Sequence, residues 1–239
     1  MDSTNLEARR RLDDGPGGVW VLGGMQTQGR GRRARAWVSE PGNLYASVAF
    51  TPNVGLAGIG AFAFASALAL HDAVLAVAPD AARDIYLKWP NDLMSPRGKL
   101  SGILLECESG AGTPLLTIGW GVNCTHHPEN SETTATDFAA LGHDVRVDAL
   151  FDALVDAFTR RAAQLEHGGM AALRGPWLER ARGVGQAIRV RLDQETLDGE
   201  FRDLDSDGRL VLALPNGETR AIAAGDVFFA NMEHATAHE

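Results

Sequence analysis

The sequence predicts an α+β fold in two parts, and three observations predict it. Up to about residue 182, apolar residues recur by turns at helical and at strand spacing. From Gln186 onward only short alternating runs remain, separated by Asp207-Gly208 and Asn216-Gly217, the dipeptides of tight hairpins. Hydrophobic residues make up 45% of the 239, enough to bury a proper core. The division that follows is residues 1–182 for the larger domain, 183–230 for an all-β module and 231–239 for a tail without pattern.

Each element has its own local reason. Residues 5–12 read as a short helix with Ser3 or Thr4 as its N-cap. Residues 13–18, Asp-Asp-Gly-Pro-Gly-Gly, form a loop. Residues 19–22 and 43–51 read as strands, with an arginine-rich loop between them. Residues 54–70 carry no charge, and apolar character resumes after His71-Asp72 through Val77. The run is rich in alanine and glycine, is interrupted by that polar pair and falls short of a membrane span. It predicts a core helix over residues 56–78, stopped by Pro79. Residues 85–89 form a strand that ends at Pro90, because the residue before proline is held extended. Asn91-Asp92 and Ser95-Pro96-Arg97-Gly98 read as turns. Residues 100–106 and 115–123 are paired strands joined through residues 109–112. Leu150, Leu154, Phe158, Ala162 and Leu165 recur at helical spacing up to Gly168-Gly169, where glycine can end the helix. A shorter helix over residues 170–182 contains Pro176 and is predicted to break there.

Composition narrows the function classes. The formal net charge is −9, which argues against nucleic acid as a partner, since binding a phosphate backbone needs a broad basic surface. There is no secretory leader, and the two cysteines, Cys107 and Cys124, read as reduced thiols of a cytoplasmic protein. No Cys-x-x-Cys or spaced His/Cys set is present, so no metal site is expected. His126-His127 are adjacent in an extended chain, point apart and read as a surface turn.

Against this acidic background, Gly29-Arg30-Gly31-Arg32-Arg33-Ala34-Arg35-Ala36-Trp37 stands out. Glycine lets backbone approach a ligand, and arginine offers planar, permanently charged donors that match phosphate and carboxylate oxygens. The segment is sized for one small phosphorylated molecule; a solvated surface loop is the plainer reading of the same residues. Further along lie Lys88-Trp89-Pro90-Asn91-Asp92 and Gly98-Lys99-Leu100-Ser101-Gly102-Ile103-Leu104-Leu105-Glu106. Lys99 opens an otherwise apolar strand, so it either reaches solvent or meets an anion. Ser3-Thr4-Asn5 is a helix cap, a polar ligand contact or both. Gly102, Gly119 and Gly121 permit close approach to a flat ligand.

Taken in this order, with Asp2-Ser3-Thr4-Asn5 before them and Gly119-Trp120-Gly121-Val122-Asn123 after, these motifs closely resemble the biotin protein ligase family. The resemblance covers nearly the whole chain. It implies a mixed β-sheet catalytic domain flanked by helices, followed by a small SH3-like β-barrel. It implies a two-step reaction as well. Biotin and ATP, with Mg²⁺, give biotinyl-5′-AMP, and the biotinyl group then passes to a lysine of a biotin carboxyl carrier domain.

By match to the family motifs, Lys99, Arg32 and Asp92 are the catalytic candidates. Lys99 would hold the carboxylate and phosphate oxygens, Arg32 would stabilise the α-phosphate, and Asp92 would arrange the lysine or the incoming amine. Biotin would be held by Ser3, Thr4, Asn5, Gln26, Gly31, Arg32, Trp37, Lys99 and Gly102. The nucleotide would meet Arg30, Arg32, Arg35, Trp37, Asn91, Lys99 and Asn123, and no protein cage for the metal is expected.

The chain departs from the family pattern at Gly23-Gly24-Met25, where an acidic residue is usual, and at Ala34, where glycine is usual. It also begins directly at the Asp2-Ser3-Thr4-Asn5 motif, without the strand that commonly precedes it or the helix-turn-helix of relatives that double as repressors. Lipoate or octanoate ligases and transferases share the implied fold and are the nearest rival, and a biotin-binding protein that has lost catalysis is a second. Relatives include monomers and homodimers, and no interface signature distinguishes them here.

Overall fold

The structure is a computed structural model and describes residues 1–12, 18–31, 35–108, 114–129 and 133–229. The loop at 13–17, the turn at 109–112 and the tail from 231 lie outside the described residues. The first sheet holds β1 (Val19–Gly23), β2 (Leu44–Phe50), β3 (Tyr86–Lys88), β4 (Asp92–Ser95), β5 (Gly98–Glu108) and β6 (Leu115–Val122). Their order is β1-β2-β6-β5-β4-β3, and every ladder is antiparallel. The expected mixed sheet is therefore an antiparallel one. Parallel pairing among the described residues is confined to isolated bridges such as Lys99↔Ala135. β1 and β2 pair across residues 24–43, and β3, β4, β5 and β6 pair in chain order, so each of these neighbours reverses direction.

The alternation of side chains separates the two faces of this sheet. Ile103, Trp120 and Val48 belong to the main core, whose helical side is α2 (Phe62–Val77) and α3 (Val147–Arg180). Trp20 stacks on Trp120 at 5.4 Å, and Phe158 of α3 meets Trp120 edge-on at 5.2 Å. On the other face Gly102 lies opposite Gly121, and Gly119 lies between Leu104 and Ser47. The helix α1 (Thr4–Arg11) packs on this second face, where Ala8 joins Val21 and Ala49 in a small separate cluster.

The apolar run is a core helix, as expected. Residues 56–77 are long and apolar enough to cross a membrane, yet 72% of the apolar window is buried inside the protein. The first six residues are a 3-10 turn, Leu56–Ala61, and a second 3-10 turn follows at Pro79–Arg83.

Two expectations need correction. Asp92 and Ser95 read as turn residues, and both belong to the strand β4, because Leu93 and Met94 between them are buried and β3 and β5 flank it. The chain also does not break at Pro176. The interruption falls at Gly169 (φ 62°, ψ −163°), where glycine was expected to end the first helix, and the second runs on through Pro176 to Arg180. Proline forfeits one helical hydrogen bond, but Trp177 beside it is fully buried with its ring 5.4 Å from Phe64, and Arg180 Nη1 donates to the Pro176 carbonyl at 2.7 Å. That packing holds the segment helical.

The second sheet is β7 (Ala187–Arg191), β8 (Thr196–Leu204), β9 (Leu210–Ala213), β10 (Thr219–Ile222) and β11 (Asp226–Phe229), in the antiparallel order β10-β9-β8-β7-β11. Its buried side chains are continuous with the main core. The Trp89 indole N–H donates to the Gly208 carbonyl at 3.1 Å. Gly208 has φ 79°, and a β-carbon there would stand 2.6 Å from the Phe64 ring. Glycine is thus required twice over, by backbone and by contact.

Candidate functional site

A cavity of about 550 Å³ opens over the glycine rows of β5 and β6. It is bounded by the start of α1, by the arginine-rich segment and by side chains from β7 and β11. Of the residues expected to form the site, Ser3, Thr4, Asn5, Gln26, Arg30, Gly31, Arg35, Trp37, Asp92, Lys99, Gly102 and Asn123 all line it. Arg32, with Arg33 and Ala34, lies outside the described residues.

The floor is made of backbone. The Trp37 ring rests on it so closely that a β-carbon at Gly121 would collide with the indole, and one at Gly102 would come within 2.9 Å of Cζ3. The two described ends of the arginine-rich segment pair with each other: Gly31 N–H donates to the Arg35 carbonyl at 2.8 Å and Trp37 N–H to the Gly29 carbonyl at 2.9 Å. Gly29 is needed for that closure, since a β-carbon there would overlap the Trp37 carbonyl. The Trp37 indole N–H is buried and has no protein partner, an unused donor at the cavity wall.

The α1 end of the cavity is a polar network. Ser3 occupies the N-cap position with extended backbone but makes no capping side-chain bond. The Thr4 backbone N–H donates to Gln26 Oε1 at 2.9 Å, and Gln26 Nε2 donates to Ser39 Oγ at 3.1 Å. The Ser47 hydroxyl lies 2.7 Å from Thr4 Oγ1 and donates to Asn5 Oδ1 at 2.6 Å. Asn5 Nδ2 donates to Glu106 Oε2 at 2.7 Å, and the Arg30 guanidinium stands 3.6 Å from the same carboxylate. Ser47 and Glu106 were not among the expected site residues. In sequence Ser47 is only a lone serine within the apolar run Leu44–Phe50; the structure shows it fully buried.

The opposite end carries charge. Lys99 Nζ lies 2.8 Å from Asp92 Oδ1, with the carboxylate buried and the lysine partly exposed. Backbone pairing on both sides fixes Lys99: its N–H donates to the Thr134 carbonyl and its carbonyl accepts from Thr136 N–H. Asn123 Nδ2 donates to the Thr136 carbonyl at 3.0 Å, bracing the same segment. Asn91 is absent from the cavity lining. Its Nδ2 donates to the Ile103 carbonyl at 2.7 Å, tying the turn to β5, while its Oδ1 is buried without a partner.

The C-terminal module also reaches the cavity through Arg191, Asp226 and Phe228. Asp226 Oδ2 lies 3.3 Å from Arg191 and 3.7 Å from Arg35. The Phe228 ring receives Arg191 at 5.1 Å and Lys88 at 5.7 Å. Nothing in the sequence of these short strands pointed to the site. Among the described lining residues, the cations Arg30, Arg35, Lys88, Lys99 and Arg191 outnumber the carboxylates Asp92 and Asp226. In a chain of net charge −9, this is a local field for an anion.

Comparison with known proteins agrees with this geometry. The biotin/lipoate A/B protein ligase family model matches residues 1–123, and the biotin protein ligase C-terminal domain model matches residues 183–230. The chain is 38% identical over 235 residues to a biotin--[acetyl-CoA-carboxylase] ligase of Paracoccus denitrificans, covering 95% of this chain and 97% of that one. It is 31% identical to the Mycobacterium tuberculosis protein of the same name, covering 94% and 85%. The fold also matches the Aquifex aeolicus biotin protein ligase solved in complex with biotin and ATP, with TM-score 0.79, 22% identity and coverage of 95% and 94%.

Proposed function

Because the chain belongs to the biotin protein ligase family, we propose that it activates biotin with ATP and passes the biotinyl group to a lysine of a biotin carboxyl carrier domain. The observation that carries this reading is that one cavity joins a hydrogen-bonding network at the α1 end to a cluster of cations at the other. In the first step a biotin carboxylate oxygen attacks the α-phosphorus of ATP, and the bond to pyrophosphate breaks. Two anions must meet, so fixed cations at the reacting atoms are the main source of rate. Lys99 takes that part, with Asp92 holding its ammonium in place. Arg32 joins it by its position in the motif. In the second step the acceptor lysine's amine attacks the anhydride carbonyl and AMP leaves, its phosphate oxygen keeping the bonding electrons. The amine's proton passes to Asp92 or to solvent.

The α1 end distinguishes biotin from a lipoyl or octanoyl chain. Asn5, Thr4, Ser47 and Gln26 supply both donors and acceptors where a ureido ring can use them. A dithiolane or alkyl tail has no hydrogen-bonding group to exchange with this network. The glycine floor and Trp37 suit a flat ring and its chain.

Magnesium enters this reading as the counterion of ATP. Among the described residues no group of three or more His, Cys, Asp or Glu is placed to hold a metal. We assign residues 1–182 to catalysis and 183–230 to an SH3-like barrel, with residues 231–239 as a tail, and place the enzyme in the cytoplasm. The test is pyrophosphate release from ATP and Mg²⁺ with biotin, lipoate or octanoate, with the acyl-adenylate identified by mass. Release with biotin alone, and biotinyl-AMP on the protein, is the expected result. Release with lipoate or octanoate instead would move the substrate and overturn the assignment.

A further inference from the structure

Resting on that reading, we propose that Asp226 is a built-in competitor for the polyphosphate of ATP. Its carboxylate holds Arg35 and Arg191, and the β- and γ-phosphates displace it from both. The argument begins with placement. Asp226 opens β11 in the C-terminal module, Arg35 lies in the arginine-rich segment of the larger domain, and Arg191 ends β7. All three line the one cavity that also holds Lys99. The carboxylate therefore sits between two guanidinium groups from different parts of the chain, at 3.7 and 3.3 Å. Those are contact distances for an ion pair but long for a well-formed bidentate bond.

Exposure decides which anion wins. The Arg35 and Arg191 side chains are 46% and 43% exposed, whereas Asp226 is 17% exposed. Ion pairs of such half-exposed arginines are weak and screened by salt. A polyphosphate brings several negative charges and many acceptor oxygens to the same two forks, and arginine pairs with it in bidentate geometry. Arg191 is kept at the cavity without Asp226, because its guanidinium also lies over the Phe228 ring at 5.1 Å. The pairing thus parks two phosphate-binding arginines with their charge partly offset and hands them to the incoming nucleotide. No bond is made or broken in this exchange; only ion pairs change partner.

The sign of one substitution separates this role from a merely supporting one. Asp226→Asn should tighten ATP and inorganic pyrophosphate by about three- to tenfold, with the affinity for biotin unchanged and the gain shrinking at high salt. Arg191→Gln should weaken ATP and pyrophosphate by a similar factor, and the double variant should lose the gain. Calorimetric titration of the full-length protein with pyrophosphate and with ATP reads this directly, before any turnover. Weaker or unchanged pyrophosphate binding in Asp226→Asn would overturn the proposal, as would wild-type binding in Arg191→Gln, which also serves if the aspartate variant folds poorly. Failure of the ligase assignment would show separately, as an absence of biotinyl-AMP from the wild-type protein.

Discussion

Replacing Gly119 by alanine should unseat the polar end of the cavity. A β-carbon at this position would overlap Asn5 Oδ1 and stand 3.2 Å from Ser47 Oγ. The strand backbone is held on both sides by β2 and β5, so the Asn5 side chain must give way. Its departure breaks the bond from the Ser47 hydroxyl and the bond to the Glu106 carboxylate. The neutral bond is worth about 1 kcal/mol and the one to a charged acceptor about 2 kcal/mol, so the loss is about 3 kcal/mol. For a chain of this length that lowers the melting temperature by roughly 6–12 °C. If Asn5 meets biotin, the KM for biotin should rise about tenfold or more while that for ATP stays within about twofold. Scanning fluorimetry and initial-rate kinetics read both. An Asn5→Ala background sharpens the test, because the methyl group then has room and Gly119→Ala should add almost nothing. A Gly119→Ala protein with the wild-type melting point and biotin KM would refute the reasoning, and so would costs that simply add in the double variant.

Lys99→Ala should lower pyrophosphate release by about a hundredfold or more, the range expected when one transition-state donor is lost, with the fold intact by circular dichroism; wild-type turnover would remove Lys99 from the mechanism. His71 is lowered to about 4, first by burial and then by the nearby Arg180 guanidinium. Its folded value lies below the unfolded one of about 6.5, so its contribution is whole above pH 6.5 and is lost as pH falls toward 4, about 3 kcal/mol in all. The stability gap between wild type and His71→Gln in urea should therefore narrow between pH 7 and pH 4.5, and a constant gap would contradict this. Burial pushes the Cys124 thiol up to about 12, whereas Cys107 is exposed. One thiol should react rapidly with Ellman's reagent in the native protein, and Cys107→Ser should abolish that phase. Low-salt gel shifts with biotin and ATP should show no specific DNA complex, given the net charge of −9.

Periodicity located the helices and most of the strands because burial on one face leaves a readable spacing. It did not find β4, since four residues between Pro90 and the Pro96-Arg97-Gly98 turn carry too little pattern to outweigh the turn signals. Nor did it foresee helix through Pro176, where the burial of Trp177 prevails over a lost backbone bond. The arginine segment, Lys99, Asp92 and the Ser3-Thr4-Asn5 cluster were legible as motifs because charge and glycine are conspicuous there. Ser47 and Glu106 were not, because a single polar residue on a strand declares itself only when its cross-strand neighbour is known. The same holds for Asp226 and Arg191, brought to the cavity by a junction between modules that no local pattern encodes. Asn91 sits inside a conspicuous motif, yet its amide N–H ties the turn to β5 at Ile103.

The bond from the Trp89 indole to the Gly208 carbonyl has a consequence for anyone recombining this protein. Trp89 stands three residues before Asp92, so the turn that delivers the carboxylate leans on a hairpin of the second sheet. The two modules are consequently not interchangeable cassettes. A graft of a foreign C-terminal module at residue 183 keeps the geometry of the cavity only if it restores a backbone acceptor and a side-chain-free residue where Gly208 meets Phe64. Directed evolution of such chimaeras should recover that hairpin before it touches any residue of the cavity.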